Sequence, residues 1–368
     1  MILEESKMCF NDRLFFNDVN EIVGFLKDKE NMVVIIGKGF DPRTTSFLEA
    51  LSENNRDFSV RVIDYDGPTE SNEINRSKEN ANHIENICRN MDYQLLKAPS
   101  YKKDDGHGKK TLIISESVRK ISKEVLKDYK NIVVDISAMT KALSFCLINQ
   151  INKKKSIEQK LYVVVTENST YDDMIEPRVV DNSAEFLPGF KTFKFSSVSD
   201  EDATIWFPAL GQNSKEAFRI INDFVSPDEI CPILPFPSVR IKRAESILRN
   251  MGEVLFRENQ IDKRNIILVP EESPQLVCKK LYQTIMYYYK ALNVDGDKKI
   301  KFVFSSQSSK LIDLGILLTL IILTKSNKQE KLVAFALVET SKYQIEAKYD
   351  KRNEKTYCFS FDDNELLW

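Results

Sequence analysis

Short runs of consecutive apolar residues recur along the chain and alternate with longer segments in which apolar residues have helical spacing. Strands that are apolar at every position are buried on both faces, which is typical of a parallel sheet covered by helices on both sides. In the first half the pattern predicts strands over Met32–Ile36, Phe58–Ile63, Thr111–Ser115, Asn131–Ile136 and Leu161–Thr166.

The second half repeats this order of strands and helices. Its predicted strands are Thr204–Pro208, Glu229–Leu234, Asn265–Val269, Lys301–Ser305 and Leu332–Val338. Gly39 and Gly211 each follow the first strand of their half, and Tyr171 and Tyr343, the same distance apart, follow the last core strand. Equal spacing of matching residues within one element order favours an internal duplication.

The predicted fold class is therefore α/β, with two tandem Rossmann-like units whose sheets are mostly parallel and which are related by a pseudo-two-fold axis. We expect one domain over residues 1–190 and the other over 200–368, because 368 residues suffice for two separate cores. The segment Tyr101–Lys110 has almost no apolar residue and is predicted to be a flexible loop.

Composition limits the classes of partner. Charged residues make up 29% of the chain and the net charge is −2, so no general attraction to duplex nucleic acid or to a membrane is expected. The longest apolar run, Leu314–Leu323, is shorter than the roughly twenty residues of a membrane span. The 6 cysteines have no metal-binding spacing, and no secretory signal is evident. We expect a cytoplasmic protein without a metal or a cofactor.

One candidate ligand site follows the strand that ends at Asp135. Beyond it Ser137, Thr140 and Lys141 lead into an apolar helix. A helix that begins at the carboxyl end of a parallel strand offers free N–H groups to an anion, and the hydroxyls and the ammonium group add to them. In the alternative interpretation the hydroxyl caps the helix and the lysine is solvated. The second half has a similar set, formed by Ser306, Ser309 and Lys310.

A second candidate site is the loop after the first strand. It has the sequence GKGFDPR, and its candidate ligand-binding residues are Gly37, Lys38, Gly39, Asp41 and Arg43. Glycines allow close approach of a ligand to the backbone, and proline fits the first turn of a helix. The alternative is that the aspartate only caps that helix. The matching residues of the second half are Gly211, Asn213 and Lys215.

A third segment, Leu234–Arg240, contains two prolines, and Arg240 with Lys242 and Arg243 supplies local positive charge. Its alternative is a solvated basic helix start. Catalytic residues are not predicted, because the only histidines are His83 and His107 and no catalytic triad or zinc motif can be built from them.

The segment Asp135–Lys141 resembles the turn of the CRISPR-associated Rossmann-fold (CARF) sensors, in which a strand runs into a TGGTK-like turn and then an apolar helix. Thr140 and Lys141 match the end of that turn, while Ala138 and Met139 stand where the family has glycines. The family also has a ligand-contacting loop after its first strand, here Gly37–Arg43. The resemblance implies binding of an anionic nucleotide, cyclic oligoadenylates being the usual ligands.

Three functions follow as expectations. In the first, the chain is a nucleotide sensor of a prokaryotic defence or stress system, which binds its ligand in a cleft between the two halves and signals to a protein effector. In the second, it is an enzyme that uses the same cleft, either a transferase or a metal-independent phosphodiesterase of the ring-nuclease kind. In the third, it is a structural subunit of a defence complex.

Overall fold

The computed structural model describes residues 15–54, 57–64, 71–97, 110–168, 175–180, 182–193, 202–293, 299–325, 331–338, 340–345 and 349–361. The chain divides into two compact units. Unit 1 comprises Met1–Thr170 together with Lys348–Trp368, and unit 2 comprises Tyr171–Ala347. The boundary at residue 170 precedes the predicted one at residues 190–200, because Ile175–Val180 and Glu185–Phe186 pair with strands of unit 2. The last strand of the chain, Lys355–Ser360, returns to the sheet of unit 1 and pairs there.

Among the described residues unit 1 contains one sheet of seven strands, and five adjacent strands, which extend to one edge of the sheet, are parallel. Its elements are β1 (Phe15–Phe16), α1 (Val19–Leu26), β2 (Met32–Gly37), a 3₁₀ turn (Pro42–Thr44), α2 (Ser46–Asn54), β3 (Ser59–Asp64), α3 (Ser71–Ile87), β4 (Tyr93–Lys97), α4 (Lys110–Asp128), β5 (Asn131–Asp135), α5 (Lys141–Lys154), β6 (Lys160–Glu167), a second 3₁₀ turn (Lys351–Asn353) and β16 (Lys355–Ser360).

Unit 2 contains a second, mostly parallel sheet and a separate antiparallel strand pair. Its elements are β7 (Ile175–Val180), β8 (Glu185–Phe186), β9 (Ala203–Ala209), α6 (Lys215–Val225), β10 (Glu229–Ile230), β11 (Ile233–Pro235), α7 (Arg243–Gly252), a π-helical turn (Glu253–Glu258), a 3₁₀ turn (Lys263–Asn265), β12 (Ile267–Val269), α8 (Pro274–Leu292), β13 (Ile300–Ser306), α9 (Lys310–Lys325), β14 (Lys331–Leu337) and β15 (Thr340–Ile345).

The five parallel strands of each unit have the same spatial order. In unit 1 the order is β4-β3-β2-β5-β6, and in unit 2 it is β12-β11-β9-β13-β14. In both, the first strand in sequence lies in the middle, the next two strands lie to one side and the last two to the other. The order reverses between β2 and β5 in unit 1, and between β9 and β13 in unit 2. In open sheets of this kind ligands bind beyond the carboxyl ends of the strands at the point of reversal.

The central strands form where the apolar pattern predicts them, because their residues are buried on both faces. All six residues of β2 and all seven of β13 are buried. Helix α9 is also apolar around its whole circumference and is buried from Leu311 through Leu323. No helix among the described residues is both long and apolar enough to cross a membrane.

Several predicted elements were wrong in type or extent. Thr111–Ser115 belongs to helix α4. The parallel strand that follows β3 is β4, a half-exposed edge strand that was not predicted because it contains polar residues. Glu229–Leu234 is interrupted at Cys231–Pro232, since proline cannot donate to the ladder. The predicted loop Tyr101–Lys110 lies outside the described residues, except that Lys110 begins α4.

Candidate functional site

The two motifs of unit 1 contact each other at the point where the strand order reverses. The Gly37–Arg43 loop follows β2, and the turn from Ser137 to Lys141 follows β5, its parallel neighbour. A Cβ atom on Gly39 would lie 3.2 Å from the carbonyl oxygen of Ala138, so glycine allows the loop to lie against this turn. Together the two segments form the carboxyl-end crevice of unit 1.

Asp41 and Arg43 form a buried ion pair within this loop. Arg43 Nε donates to Asp41 Oδ1 at 2.9 Å and Nη2 donates to Oδ2 at 2.6 Å, while the Arg43 N–H also donates to Oδ1. Asp41 thus caps the 3₁₀ turn, as the alternative interpretation had it, and also neutralises the guanidinium group. From α3, Asn80 Nδ2 donates to the carbonyl oxygens of Gly39 and Asp41, both at 2.9 Å, and fixes the loop.

Asp135 is the buried carboxyl group of the crevice. Its Oδ1 accepts hydrogen bonds from the Ser137 N–H and hydroxyl, whereas its Oδ2 has no hydrogen-bond partner. Burial raises the pKa of Asp135 from an ordinary value of 3.8 to about 6, against the lowering effects of the Ser137 hydrogen bonds and of the Arg43 charge. Ser137 Oγ also accepts from the Thr166 N–H at 2.7 Å, which ties the turn to β6.

Thr140 and Lys141 begin helix α5. The Thr140 hydroxyl accepts from the Leu143 N–H at 3.3 Å and caps the helix, so the capping interpretation holds for this residue. Lys141 is the first helical residue and is half-buried. The amino end of this apolar helix therefore faces the same crevice edge as Asp135 and the Gly37–Arg43 loop.

Lys38 joins the crevice to the neighbouring strand β3. Its N–H donates to the Ile63 carbonyl oxygen at 2.8 Å, and its Nζ lies 3.1 Å from Asp64 Oδ1. Both side chains remain about one quarter exposed. Asp64 was not predicted from the sequence. It ends an apolar strand, however, as Asp135 does, and that position was the signal for Asp135.

Polar residues from the far end of the chain adjoin the same loop. Ser46 Oγ donates to Glu354 at 2.7 Å, and the Tyr349 hydroxyl also donates to Glu354. Burial raises the pKa of Tyr349, and the Glu354 carboxylate raises it further. No local pattern could have found these residues, because about 300 positions separate them from Ser46.

In unit 2 the corresponding glycine is held more tightly. A Cβ atom on Gly211 would lie 2.0 Å from the carbonyl oxygen of Gln307, in the turn after β13. The Gly211 N–H donates to Ser214 Oγ, and that hydroxyl donates back to the Gly211 carbonyl oxygen. Asn213 and Lys215, which match Asp41 and Arg43 in sequence, are exposed, and the residue preceding α6 is Ser214.

The turn after β13 carries the remaining predicted residues of unit 2. Ser306 Oγ donates to Asp313 on α9. Ser309 precedes the helix, but its buried hydroxyl has no hydrogen-bond partner, and Lys310 is the half-buried first helical residue. In sheet register the residue that matches Asp135 is Ser305, whose hydroxyl accepts from Trp206 Nε1 at 2.9 Å.

The third predicted segment is less cationic than its sequence indicated. Arg243 is paired with the buried carboxylate of Glu271, and Ser238 Oγ donates to the same carboxylate at 2.6 Å. The Arg240 N–H donates to Ser238 Oγ at 3.1 Å. Arg240 therefore lies in a segment that Glu271 anchors. Among the described residues no group of three or more His, Cys, Asp or Glu side chains could hold a metal ion.

Comparisons with known proteins add little. No protein-family model matches the chain, and no curated protein matches it. Among solved structures, the plantazolicin methyltransferase BamL, in complex with a triazolic desmethylPZN analogue and SAH, is 13% identical over 42% of this chain and 48% of its own, with a TM-score of 0.23. The glycopeptide N-methyltransferase MtfA is 10% identical over 46% of this chain and 62% of its own, with a TM-score of 0.22.

A putative universal stress protein from Pseudomonas aeruginosa UCBPP-PA14 is 9% identical over 83% of this chain and 94% of its own, with a TM-score of 0.22. The chain thus spans about half to three fifths of the two methyltransferases. Similarity at this level gives no basis for inferring a function.

Proposed function

We propose that this chain is a CARF-like regulatory protein that binds an anionic nucleotide at the carboxyl-end crevice of unit 1 and passes the bound state to a partner effector. The observation that carries the proposal is the contact between the Gly37–Arg43 loop and the turn before α5 where the strand order reverses. Ligands of doubly wound sheets bind at this position.

The residues of the crevice suit such a ligand. The amino end of α5 supplies N–H groups and a partial positive charge to a phosphate, and Lys141 is the first residue of this helix. Asp135 is buried next to this turn, and its Oδ2, although it has no hydrogen-bond partner, is shielded from solvent and is not exposed to a ligand. Arg43 is already neutralised by Asp41, so it shapes the loop instead of binding phosphate directly.

The shared strand order also supports our proposal that the two units arose by duplication of one Rossmann-like ancestor. The strand order is the same in both units. Gly39 lies against the turn that follows β5, and Gly211 lies against the turn that follows β13. The units have since diverged at the crevice, because the sheet position of Asp135 is Ser305 in unit 2, and the buried carboxylate at that turn, Asp313, comes from α9 instead.

Titration calorimetry tests the binding proposal. Wild type, Lys141→Ala and the matched Lys310→Ala variant are titrated with mononucleotides, dinucleotides and cyclic oligonucleotides. We expect Lys141→Ala to weaken binding by about 1–3 kcal/mol, the range for a charge-assisted hydrogen bond. An equal loss with Lys310→Ala indicates that each unit holds a phosphate. If no nucleotide binds wild type at millimolar concentration, the proposal is wrong and the structural-subunit function replaces it.

The same titrations separate a sensor from an enzyme. Chromatography of each nucleotide after incubation with the protein shows whether the bound ligand is recovered intact. Recovery of intact ligand supports the sensor, and cleavage in the absence of metal supports the phosphodiesterase.

A further inference from the structure

Asp64 is a carboxylate at the crevice of unit 1 to which the nucleotide proposal gives no role. It is the last residue of β3, and β3 is the parallel neighbour of β2 on the side opposite β5. Its partner Lys38 belongs to the Gly37–Arg43 loop, so the carboxylate is tied to the crevice by the 3.1 Å ion pair. About one quarter of each side chain is exposed, which leaves the pair within reach of a ligand.

The charges of the crevice define what Asp64 can bind. Asp41 is buried and paired with Arg43, and Asp135 is also buried, whereas Asp64 is paired through Oδ1 with Lys38 and remains about one quarter exposed. Ionised carboxylates only accept hydrogen bonds. They therefore repel phosphate and favour ligand groups that donate, of which the vicinal hydroxyls of a ribose are the ones that every ribonucleotide carries.

The position of Asp64 agrees with this chemistry. In dinucleotide-binding Rossmann units an acidic residue about 20 positions after the glycine loop accepts a hydrogen bond from the ribose 2′-hydroxyl. Asp64 follows the Gly37–Arg43 loop at a similar distance and ends the strand next to it. A phosphate at the amino end of α5 and a sugar at Asp64 then occupy opposite sides of the same loop.

Unit 2 lacks this group. Gly37 and Ala209 are equivalent, because each lies two residues before the glycine that contacts the turn. Gly37 pairs with Ile63 in unit 1, and Ala209 pairs with Ile233 in unit 2. In this register the counterpart of Asp64 is Leu234, which is fully buried. At this strand end unit 2 thus has a buried apolar residue, which serves only packing, whereas unit 1 has an accessible carboxylate.

We propose that Asp64 binds the ribose hydroxyls of the nucleotide held in the crevice of unit 1, so that the site selects ribonucleotides over 2′-deoxyribonucleotides. This inference rests on the proposed function. Lys38 then holds the Asp64 carboxylate in place and partly neutralises it.

The test compares the four ribonucleoside 5′-monophosphates with their 2′-deoxy counterparts by titration calorimetry on the full chain. We expect wild type to bind the ribo forms roughly 10- to 150-fold more tightly, the range for one hydrogen bond to a charged group. Asp64→Ala and Asp64→Asn are expected to lose most of this ratio. Asp92→Asn is the matched control, because Asp92 is also an exposed carboxylate paired with a cation in unit 1, but it precedes β4 at the amino ends of the strands.

The outcomes separate the two proposals. Equal affinity of wild type for ribo and deoxy forms overturns the role of Asp64 and leaves nucleotide binding intact. A preference for ribo forms that survives in Asp64→Ala also overturns it. If none of the eight nucleotides binds, the role of Asp64 is overturned, and the binding proposal fails as well only if the dinucleotides and cyclic oligonucleotides also do not bind. Thermal unfolding of each variant checks the fold, which a half-exposed ion pair supports by no more than about 1 kcal/mol.

Discussion

The carboxyl-end crevices of the two units share a strand order but differ in how their polar groups are satisfied. In unit 1 a Cβ atom on Gly39 would lie 3.2 Å from the Ala138 carbonyl oxygen, a tight contact that a small shift relieves, and the buried Asp135 Oδ2 has no hydrogen-bond partner. In unit 2 the backbone at Gly211 and Gln307 closes the same space, and Ser305 is satisfied by Trp206. One fold therefore supports a carboxylate at the end of the fourth parallel strand in unit 1 and a hydroxyl at that position in unit 2, where the glycine also lies closer to the opposite turn.

The glycines provide the test with the largest expected effect. Gly211→Ala places a methyl group 2.0 Å from a backbone carbonyl, and we expect a loss of about 4 kcal/mol or more of unfolding free energy. Gly39→Ala meets its neighbour at 3.2 Å and is expected to cost about 1 kcal/mol. Urea unfolding followed by circular dichroism measures both.

Gly24→Ala serves as the control for the glycine substitutions. Apart from its chain neighbours and the backbone of helix α1 itself, no atom lies within 4 Å of the added methyl group, so this variant is expected to gain about 0.5–1 kcal/mol. Equal losses in Gly39→Ala and Gly211→Ala would contradict the difference in packing between the two crevices.

The second comparison uses Asp41 and its sequence counterpart Asn213. Asp41→Ala leaves the buried guanidinium group of Arg43 without its carboxylate, and the expected loss of stability is about 3 kcal/mol. Asn213 is exposed, so Asn213→Ala is expected to change stability by no more than about 0.5 kcal/mol. Thermal and urea unfolding of both variants measure the difference, and a large effect of Asn213→Ala would show that the loop of unit 2 is more constrained than its exposure indicates.

The third comparison is the pH dependence of stability. The pKa of Asp135 is about 6 in the folded chain and near 3.9 when unfolded, so folding penalises its ionised form. The stabilising contribution is complete below about pH 4 and is lost as the pH rises through about 6. We expect wild type to lose about 2 kcal/mol of unfolding free energy between these pH values, and we expect Asp135→Asn not to show this loss. Urea unfolding across this pH range measures both.

Ser305→Ala is the matched variant in unit 2 for that measurement. Its profile should stay parallel to that of wild type at every pH, since a serine hydroxyl does not titrate in this range. A wild-type profile that Asp135→Asn leaves unchanged would rule out the raised pKa.

The smallest expected effect concerns the residues that precede α5 and α9. Thr140 caps its helix through the Leu143 N–H, and Thr140→Ala is expected to cost about 1 kcal/mol. The buried hydroxyl of Ser309 has no partner, so Ser309→Ala is expected to be neutral or slightly stabilising. Differential scanning calorimetry resolves the two, and a clear loss in Ser309→Ala would show that its hydroxyl is bonded in solution.

The sequence by itself determined the central strands, because a run such as Met32–Ile36 is apolar at every position and can only be buried on both faces. It also determined which segments reach the carboxyl-end edge of the sheet, since Gly37 and Asp135 are the last residues of such strands. It could not identify β4, an edge strand in which Gln94 and Leu95 are exposed, and it assigned Thr111–Ser115 to a strand although this segment belongs to the first turns of helix α4.

Only the tertiary structure decided how the polar side chains are used. The sequence indicated Arg43 and Arg243 as cations for a ligand, but each is paired with a carboxylate, Asp41 in its own loop and Glu271 in a distant one. Hydrogen-bond partners, burial and pKa depend on distances that local patterns do not contain. For the same reason the return of Tyr349 and Glu354 to unit 1, and the buried Asp135 oxygen without a hydrogen-bond partner, could be found only in the folded chain.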